Sequence, residues 1–404
     1  MSARAILLGS GRLLGSGRFG VAMLAVMVLL SSCARQLPPP PPTVAGAATP
    51  DPAQVESVLF LVGDPGEAIP GRSPLMARLA HEVEQWSGAL AESSVRVAWL
   101  GDLVYPVGVR PPGTPEHAED TLALRAQLNV ITGASATKQR TELLFIPGNH
   151  DWGNDIGTRG AERLGHMEDR IDRWAAEGFP VRMVPSDAAI GPVVLPLGQD
   201  VQAIILDTQS WLAGSDPDRA RAQQGLRDAL SDGARTSIVL AHHPLVTGGN
   251  HGARRAEDPF ALLSRAGALP QDLTSAVYRQ MKDEIEDAFA ETSPPLLYAA
   301  GHDHNLQLFR ASDPSREAKW TLVSGSASKL TAVVDAPGMV FGGPWPGFGR
   351  IFLLKDGRIV LQVVAGGAEA QLCDSLEADA LATCMTARSG AFRMIFSETL
   401  RGAR

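Results

Sequence analysis

Five short clusters of polar residues carry donor atoms of the kind that bind metal ions: Gly63-Asp64, Gly101-Asp102, Gly148-Asn149-His150-Asp151, His242-His243 and Gly301-His302-Asp303-His304. Carboxylates, an amide oxygen and imidazoles together suit first-row transition metals. In an extended segment His302 and His304 point the same way and stand ~6.5 Å apart, a separation suited to two imidazoles serving neighbouring metals. Each cluster alone has a plainer reading. A Gly-Asp pair after a strand is commonly a turn, Gly-Asn-His-Asp occurs in ordinary loops, and two nearby histidines are found on plain surfaces. Their joint order argues for the metals, because six of the nine histidines fall on or close to these clusters.

The clusters run from residue 64 to residue 304, so the fold must bring them together. Short apolar runs precede them or lie between them, at 57–62, 95–100, 143–146, 202–206, 237–240 and 295–300, and read as strands. Segments 75–90, 121–131, 161–176, 220–230 and 273–290 repeat apolar residues at three- and four-residue spacing and read as helices. Alternation of this kind is the mark of an α/β fold, whose ligands bind at the C-terminal ends of the strands. On that reading the five clusters share one face of one sheet. After Gly301 the runs 306–310, 320–324, 350–354 and 359–363 follow without long helices, which points to a second sheet.

The stretches Gly63-Asp64-Pro65-Gly66, Gly101-Asp102-Leu103-Val104-Tyr105, Gly148-Asn149-His150-Asp151, Ala241-His242-His243-Pro244 and Gly301-His302-Asp303-His304-Asn305-Leu306-Gln307 resemble the five metal motifs of calcineurin-like metallophosphoesterases. Gly66 stands where the general superfamily has a histidine, and Tyr105 stands three residues after Asp102, where purple acid phosphatases carry a phenolate. Together with Leu206-Asp207-Thr208, this is most similar to the small, mammalian-type purple acid phosphatases. The resemblance spans about residues 57–328 and implies a sandwich of two mixed sheets flanked by helices. It implies one metal held by Asp64, Tyr105, His304 and a bridging Asp102, and a second held by Asp102, Asn149, His242 and His302. The hard oxygen donors of the first site favour iron(III), and iron(II), zinc or manganese would fit the second. By the same resemblance His150 protonates the leaving group and His251 faces the substrate; the adjacent Asp151 is read as orienting the His150 ring by accepting the proton of its second nitrogen. Asn250, where the relatives have an acidic residue, departs from that pattern. The implied activity is hydrolysis of a small phosphate monoester, with a phosphodiesterase or nucleotide pyrophosphatase as the alternative and a silent envelope-anchored binding module as a remoter one.

Arg4, Arg12 and Arg18 precede an apolar run at 19–30 that is short for a membrane span and reads as an export signal. It ends at Leu30-Ser31-Ser32-Cys33, which resembles the lipobox of bacterial lipoproteins and implies a lipid on Cys33. The resulting organisation is a signal at 1–32, a Pro-rich tether at 33–54, a catalytic domain at 55–368 and a C-terminal extension at 369–404 packed on it. The expected location is the bacterial cell envelope, at the outer membrane or periplasmic face, as a monomer anchored by its lipid. Export also favours a Cys373–Cys384 disulfide over two separate thiols. A formal net charge of -8 argues against a nucleic-acid binder, so an anionic substrate must be attracted by local charge, which bound cations supply.

Overall fold

Val55–Val62 (β1) is eight residues long and nearly unbroken in burial, as expected of a parallel strand covered on both faces. The computed structural model describes residues 41–42, 48–91, 94–132, 140–154, 158–252, 260–367, 370, 372–373 and 377–403. The signal and Cys33 lie outside these residues. The chain continues through α1 (Pro74–Ala89), β2 (Val95–Leu100), α2 (His117–Leu128), β3 (Thr141–Ile146), α3 (Thr158–Ala176) and β4 (Val181–Met183). There follow β5 (Val193–Pro196), β6 (Val201–Ile205), α4 (Thr208–Ala213), α5 (Asp216–Leu230), β7 (Thr236–Leu240), α6 (Ala261–Arg265), α7 (Ala276–Ala290) and β8 (Leu297–Ala300). The last part comprises β9 (Leu306–Arg310), β10 (Trp320–Ser324), β11 (Met339–Gly343), β12 (Gly347–Leu354), β13 (Ile359–Ala365), α8 (Ala378–Gly390) and β14 (Arg393–Arg401).

These strands form two seven-stranded mixed sheets, ordered β14-β13-β12-β1-β2-β3-β4 and β11-β9-β10-β8-β7-β6-β5. In the first, β1 to β4 are parallel and β12 to β14 antiparallel. In the second, β6, β7, β8 and β10 are parallel, flanked by antiparallel β5 and β9. The expectation of one sheet carrying all five clusters is thus corrected. Clusters one to three follow β1, β2 and β3 of the first sheet, and clusters four and five follow β7 and β8 of the second. An apolar run announces a strand but not its neighbours, so sheet membership was not in the pattern.

Alternation along each strand builds three cores. Phe60, Trp99 and Phe145 face α1 and α3, meeting Leu79, Val83, Met167 and Trp174. Their neighbours Leu61, Leu100 and Ile146 face the other sheet, meeting Ala203, Leu240 and Ala299. Beyond that, Ile204, Val239 and Tyr298 meet Leu226 of α5 and Met281, Ile285 and Phe289 of α7. Helix starts follow their caps. Ser215 and Ser275 accept hydrogen bonds from Asp218 N–H and Tyr278 N–H, which sets α5 starting at 216 and α7 at 276 rather than at the 220 and 273 expected.

The short strands β4, β5 and β11 and the helices α4 and α6 carry too few residues to show a period. Strand β14 completes the first sheet by pairing with β13, and Cys373 is disulfide-bonded to Cys384 of α8. Among the described residues no helix is long and apolar enough to cross a membrane.

Arg350 of β12 is buried beneath α1, where its guanidinium pairs with Glu82 and donates to Gln362 Oε1 at 2.7 Å. Removing the carboxylate leaves a buried cation without its counter-charge. Glu82→Ala is expected to lower the unfolding free energy in a urea titration by about 3–5 kcal/mol. A loss under about 1 kcal/mol would place this pair with solvated surface pairs instead.

Candidate metal centre

The ends of β1, β2, β3, β7 and β8 meet along the seam between the two sheets. Main-chain bonds stitch that seam: Gly63 N–H donates to Ser324 O at 2.7 Å, and Ala327 N–H to Gly63 O at 3.2 Å. Asp64, Asp102 and His302 take left-handed backbone conformations, with φ of 61°, 54° and 70°. Asp and His enter this region more readily than most residues, and each such position costs on the order of 1–3 kcal/mol. The kinked backbone turns each side chain from the strand end into the seam. Gly101 has φ 88°, and a Cβ there would stand 2.3 Å from His242 Nδ1, so only glycine lets the imidazole approach.

One half of the site gathers around a phenol. Tyr105 Oη lies 2.9 Å from Asp64 Oδ1, 3.1 Å from Asp102 Oδ2 and 2.9 Å from His304 Nε2. A Cβ on Gly66 would sit 2.8 Å from Tyr105 Cδ2. The ring therefore occupies space that a side chain at position 66 would need, which links the glycine to the tyrosine physically. Lys329 Nζ stands 3.4 Å from the centre of the Tyr105 ring and pairs with Glu67 at 2.9 Å.

The other half gathers around Asn149 Oδ1, which is 2.9 Å from His242 Nε2 and 3.0 Å from His302 Nδ1. His242 Nε2 is also 3.3 Å from Asp102 Oδ1. The remaining ring nitrogens face carbonyls: His242 Nδ1 meets Leu100 O at 2.8 Å, and His302 Nε2 meets Gln271 O at 2.9 Å. Only an N–H can satisfy a carbonyl, so the protons sit there and both rings turn lone pairs toward Asn149 Oδ1. Asn149 in turn donates its amide N–H to Asn154 Oδ1 at 2.6 Å, which keeps its oxygen pointing inward. Lone pairs held this close repel unless a cation lies among them. The donor chemistry fits a metal ion in each half, with Asp102 giving one oxygen to each.

Charge and burial act unequally on these groups. Burial pushes the Asp64 carboxyl up, against a hydrogen bond and the charge of His304. Burial acts on Asp102 in the same sense, but His242, His150 and His304 together outweigh it and hold this carboxyl at about 2. Burial, then the carboxylates of Asp102 and Asp64, push the Tyr105 phenol well up. Burial, followed by its imidazole neighbours, holds His302 well below the ordinary histidine range, as neutral as a metal ligand must be.

The other expected residues separate. His150 lies at the site, its ring centre 4.6 Å from that of Tyr105 and its Nε2 3.9 Å from Asp102 Oδ2. Its Nδ1 faces Pro106 O at 2.7 Å. Asp151 does not orient this ring, a correction to the sequence reading. Its Oδ1 accepts Leu103 and Val104 N–H at 2.8 and 3.1 Å, and its Oδ2 accepts Gly148 N–H at 2.8 Å, so it clamps two loops together. His251 reaches the site from residues 247–252 and stacks on His302 with ring centres 3.9 Å apart. His243 has ring atoms within 4.8 Å of those of His242 and His302, yet its nitrogens bond Thr208 Oγ1 at 2.7 Å and Gln271 Oε1 at 2.8 Å. It supports the site without offering a lone pair.

Gln271, Asp272, Asn154 and Lys329 were missed by sequence reasoning. Asn154 had a signal, since it closes the same turn as Asn149. The others sit in loops with no motif around them.

Asp207 ties the two halves of the fold, accepting Trp152 Nε1–H at 3.0 Å and capping α4 through Ser210 N–H at 2.9 Å. Burial outweighs these bonds and pushes its carboxyl up to about 7. An unfolded aspartate titrates near ~3.9, so the folded chain holds this proton more tightly. The stability linked to it is complete below about pH 4 and is lost as pH rises through about 7. Asp207→Asn is expected to flatten that fall in chelator-treated protein, removing up to about 1.4 kcal/mol per pH unit from urea-unfolding free energies. A slope unchanged by the substitution would assign it to another group.

No family model matches this chain, and neither does any curated protein. Among solved structures, purple acid phosphatase PPD1 from yellow lupin (Lupinus luteus) seeds is similar with a TM-score of 0.50 and 15% identity, over 78% of this chain and 52% of that one. GAP50, the anchor in the inner membrane complex of Plasmodium, is similar with a TM-score of 0.47 and 16% identity, over 77% of this chain and 85% of that one. The match spans about half the length of the lupin protein. What is shared at this identity is the fold: two mixed sheets flanked by helices, as in the lupin phosphatase.

Proposed function

We propose that this chain is a metal-dependent phosphoesterase that hydrolyses small phosphate monoesters at a dinuclear centre. The observation that carries the reading is Asp102, whose Oδ2 is 3.1 Å from the Tyr105 phenol while its Oδ1 is 3.3 Å from His242. Asp64, Tyr105 and His304 would hold one ion, Asn149, His242 and His302 the other, and Asp102 both. The phenolate and two carboxylates favour iron(III) in the first position, and iron(II), zinc or manganese suit the second. When bound, such a pair supplies an acidified water as nucleophile and neutralises the phosphate oxygens. The likeness of fold to the lupin phosphatase supports the same chemistry.

The residues then have distinct tasks. As the oxygen of a water that has released one proton to solvent bonds to phosphorus, the ester P–O bond breaks and the departing oxygen needs a proton. His150 supplies it from Nε2, with its ring held against Tyr105 and its Nδ1–H on Pro106 O. His251, beside His302, contacts a phosphate oxygen. The acidic chain repels an anion overall, so attraction is confined to this cleft. The chain is also exported and held to the cell envelope by a lipid on Cys33, a reading supported by the Arg-flanked apolar run and the Leu-Ser-Ser-Cys ending.

Chelated protein reloaded with iron and zinc is expected to hydrolyse p-nitrophenyl phosphate faster than its bis-ester. Asp102→Asn should cut kcat by about 10³-fold or more, since it replaces one of the two oxygens through which this side chain would reach both ions and removes its charge. A visible tyrosinate-to-iron band should vanish in Tyr105→Phe. Metal-independent turnover, or equal turnover of the two esters, would overturn the proposal. Expressed at full length in a bacterial host, the protein should fractionate with membranes, and Cys33→Ala should shift it to the soluble fraction; unchanged fractionation would exclude the lipid.

A further inference from the structure

Three imidazoles on one side of the site rest on a single dipeptide. Gln271 accepts from His302 through its main-chain oxygen at 2.9 Å and bonds His243 through Oε1 at 2.8 Å. Its amide N–H donates to Gln209 Oε1 at 3.1 Å, which fixes the side chain. The next residue, Asp272, is buried at 1% exposure and places Oδ1 2.8 Å from His251 Nδ1. Leu273 N–H closes the contact by donating to His251 O at 2.8 Å.

Resting on the phosphoesterase reading, we propose that Asp272 is the positioning residue for His251, setting the orientation in which this ring meets the substrate phosphate. Asn250, immediately before His251, carries no carboxylate. Asp272 brings one from 21 positions further along the chain. Stacking on His302 fixes the plane of the His251 ring, at 31° to its neighbour, but a stack tolerates rotation within that plane. A side chain with a broad terminal torsion needs a directional bond to choose one orientation. The carboxylate supplies that bond: Nδ1–H points at Oδ1, and Nε2 is carried on the opposite edge of the ring. Asp303 holds the main chain of the same loop, accepting His251 N–H at 3.1 Å and Thr247 Oγ1–H at 2.6 Å. The loop and the ring are therefore positioned by two different carboxylates.

The test is a double-mutant cycle on the metal-loaded enzyme, comparing wild type, His251→Ala, Asp272→Ala and the double variant. Asp272→Ala should lower kcat/KM for p-nitrophenyl phosphate by about 10–100-fold and weaken inhibition by inorganic phosphate, with metal content unchanged. In a His251→Ala background the same substitution should change neither. Asp272→Glu should restore part of the loss. If the effects of the two single variants multiply, or if Asp272→Ala loses metal, Asp272 acts on the fold or on the metal and the proposal fails. Asp272→Asn, which keeps the shape, carries the same comparison should the alanine variant not fold. If loaded wild type hydrolyses no phosphate ester, the phosphoesterase reading fails separately. The cycle then runs on calorimetric binding of inorganic phosphate: loss in Asp272→Ala but not on top of His251→Ala upholds the positioning role, and any other pattern ends it.

Discussion

A buried carboxylate placed between the two halves of the site constrains this structure more than any other feature. Asp102 is 1% exposed, lies between the phenol of Tyr105 and the imidazole of His242, and accepts His150 N–H at 2.9 Å. It can sit there only if the groups around it are prevented from relaxing apart. Tyr105 Oη–H and His150 N–H donate to this carboxylate, but the lone pairs of Asn149 Oδ1, His242 and His302, about 3 Å from one another, repel in a medium of low dielectric. An isolated cluster of this kind would scatter, and the surrounding scaffold holds it together.

Much of that restraint comes from main chain rather than from side chains. Carbonyls of Leu100, Gln271 and Pro106 take the N–H groups of His242, His302 and His150. Leu100 ends β2, and a carbonyl at the end of a buried strand moves very little, so the His242 ring inherits the rigidity of the sheet. The bond from His242 to Leu100 is also a bond between sheets, because His242 follows β7 and Leu100 ends β2. His302 N–H reaching Asp64 Oδ2 at 2.8 Å crosses the same seam. Each half of the site is therefore anchored in the opposite half of the sandwich. The left-handed turns at Asp64, Asp102 and His302 are tolerated because three packed cores stand beneath them.

Most of this site could be read from the chain because its donors follow buried apolar runs directly. A strand of six apolar residues ending in Gly-Asp leaves little doubt about where the aspartate emerges. Tyr105 was legible for a similar reason, three residues after Asp102 and opposite a glycine that makes room for its ring. What could not be read was any relation between segments that share no period. The allotment of β7 and β8 to a second sheet depends on which strands pair. Asp151 looked like the partner of His150 because it adjoins it, yet adjacent residues in a tight turn point apart, and its carboxylate turned back to three main-chain N–H groups. Asp272 met His251 from a loop whose sequence carries no motif. The edge strand β14, half-exposed along most of its length, lacked the apolar signal of the inner strands.

The two histidines proposed to face the substrate are held in unlike ways, and the difference follows from their positions. His150 sits in the turn after β3, where the cis-linked Tyr105-Pro106 main chain passes within reach and Asn154 Nδ2 lies 3.2 Å from its Nδ1. His251 follows the end of β7 by eleven residues, on a loop where its ring packs against the face of His302. Stacking gives it a plane but no rotation, so a side chain had to supply the direction. A group that must meet a ligand atom in one orientation needs more fixed bonds the farther it stands from regular structure. The buried carboxylates of Asp303 and Asp272 meet that requirement for the loop and for the ring, and they give residues 247–252 the definition that β3 gives His150.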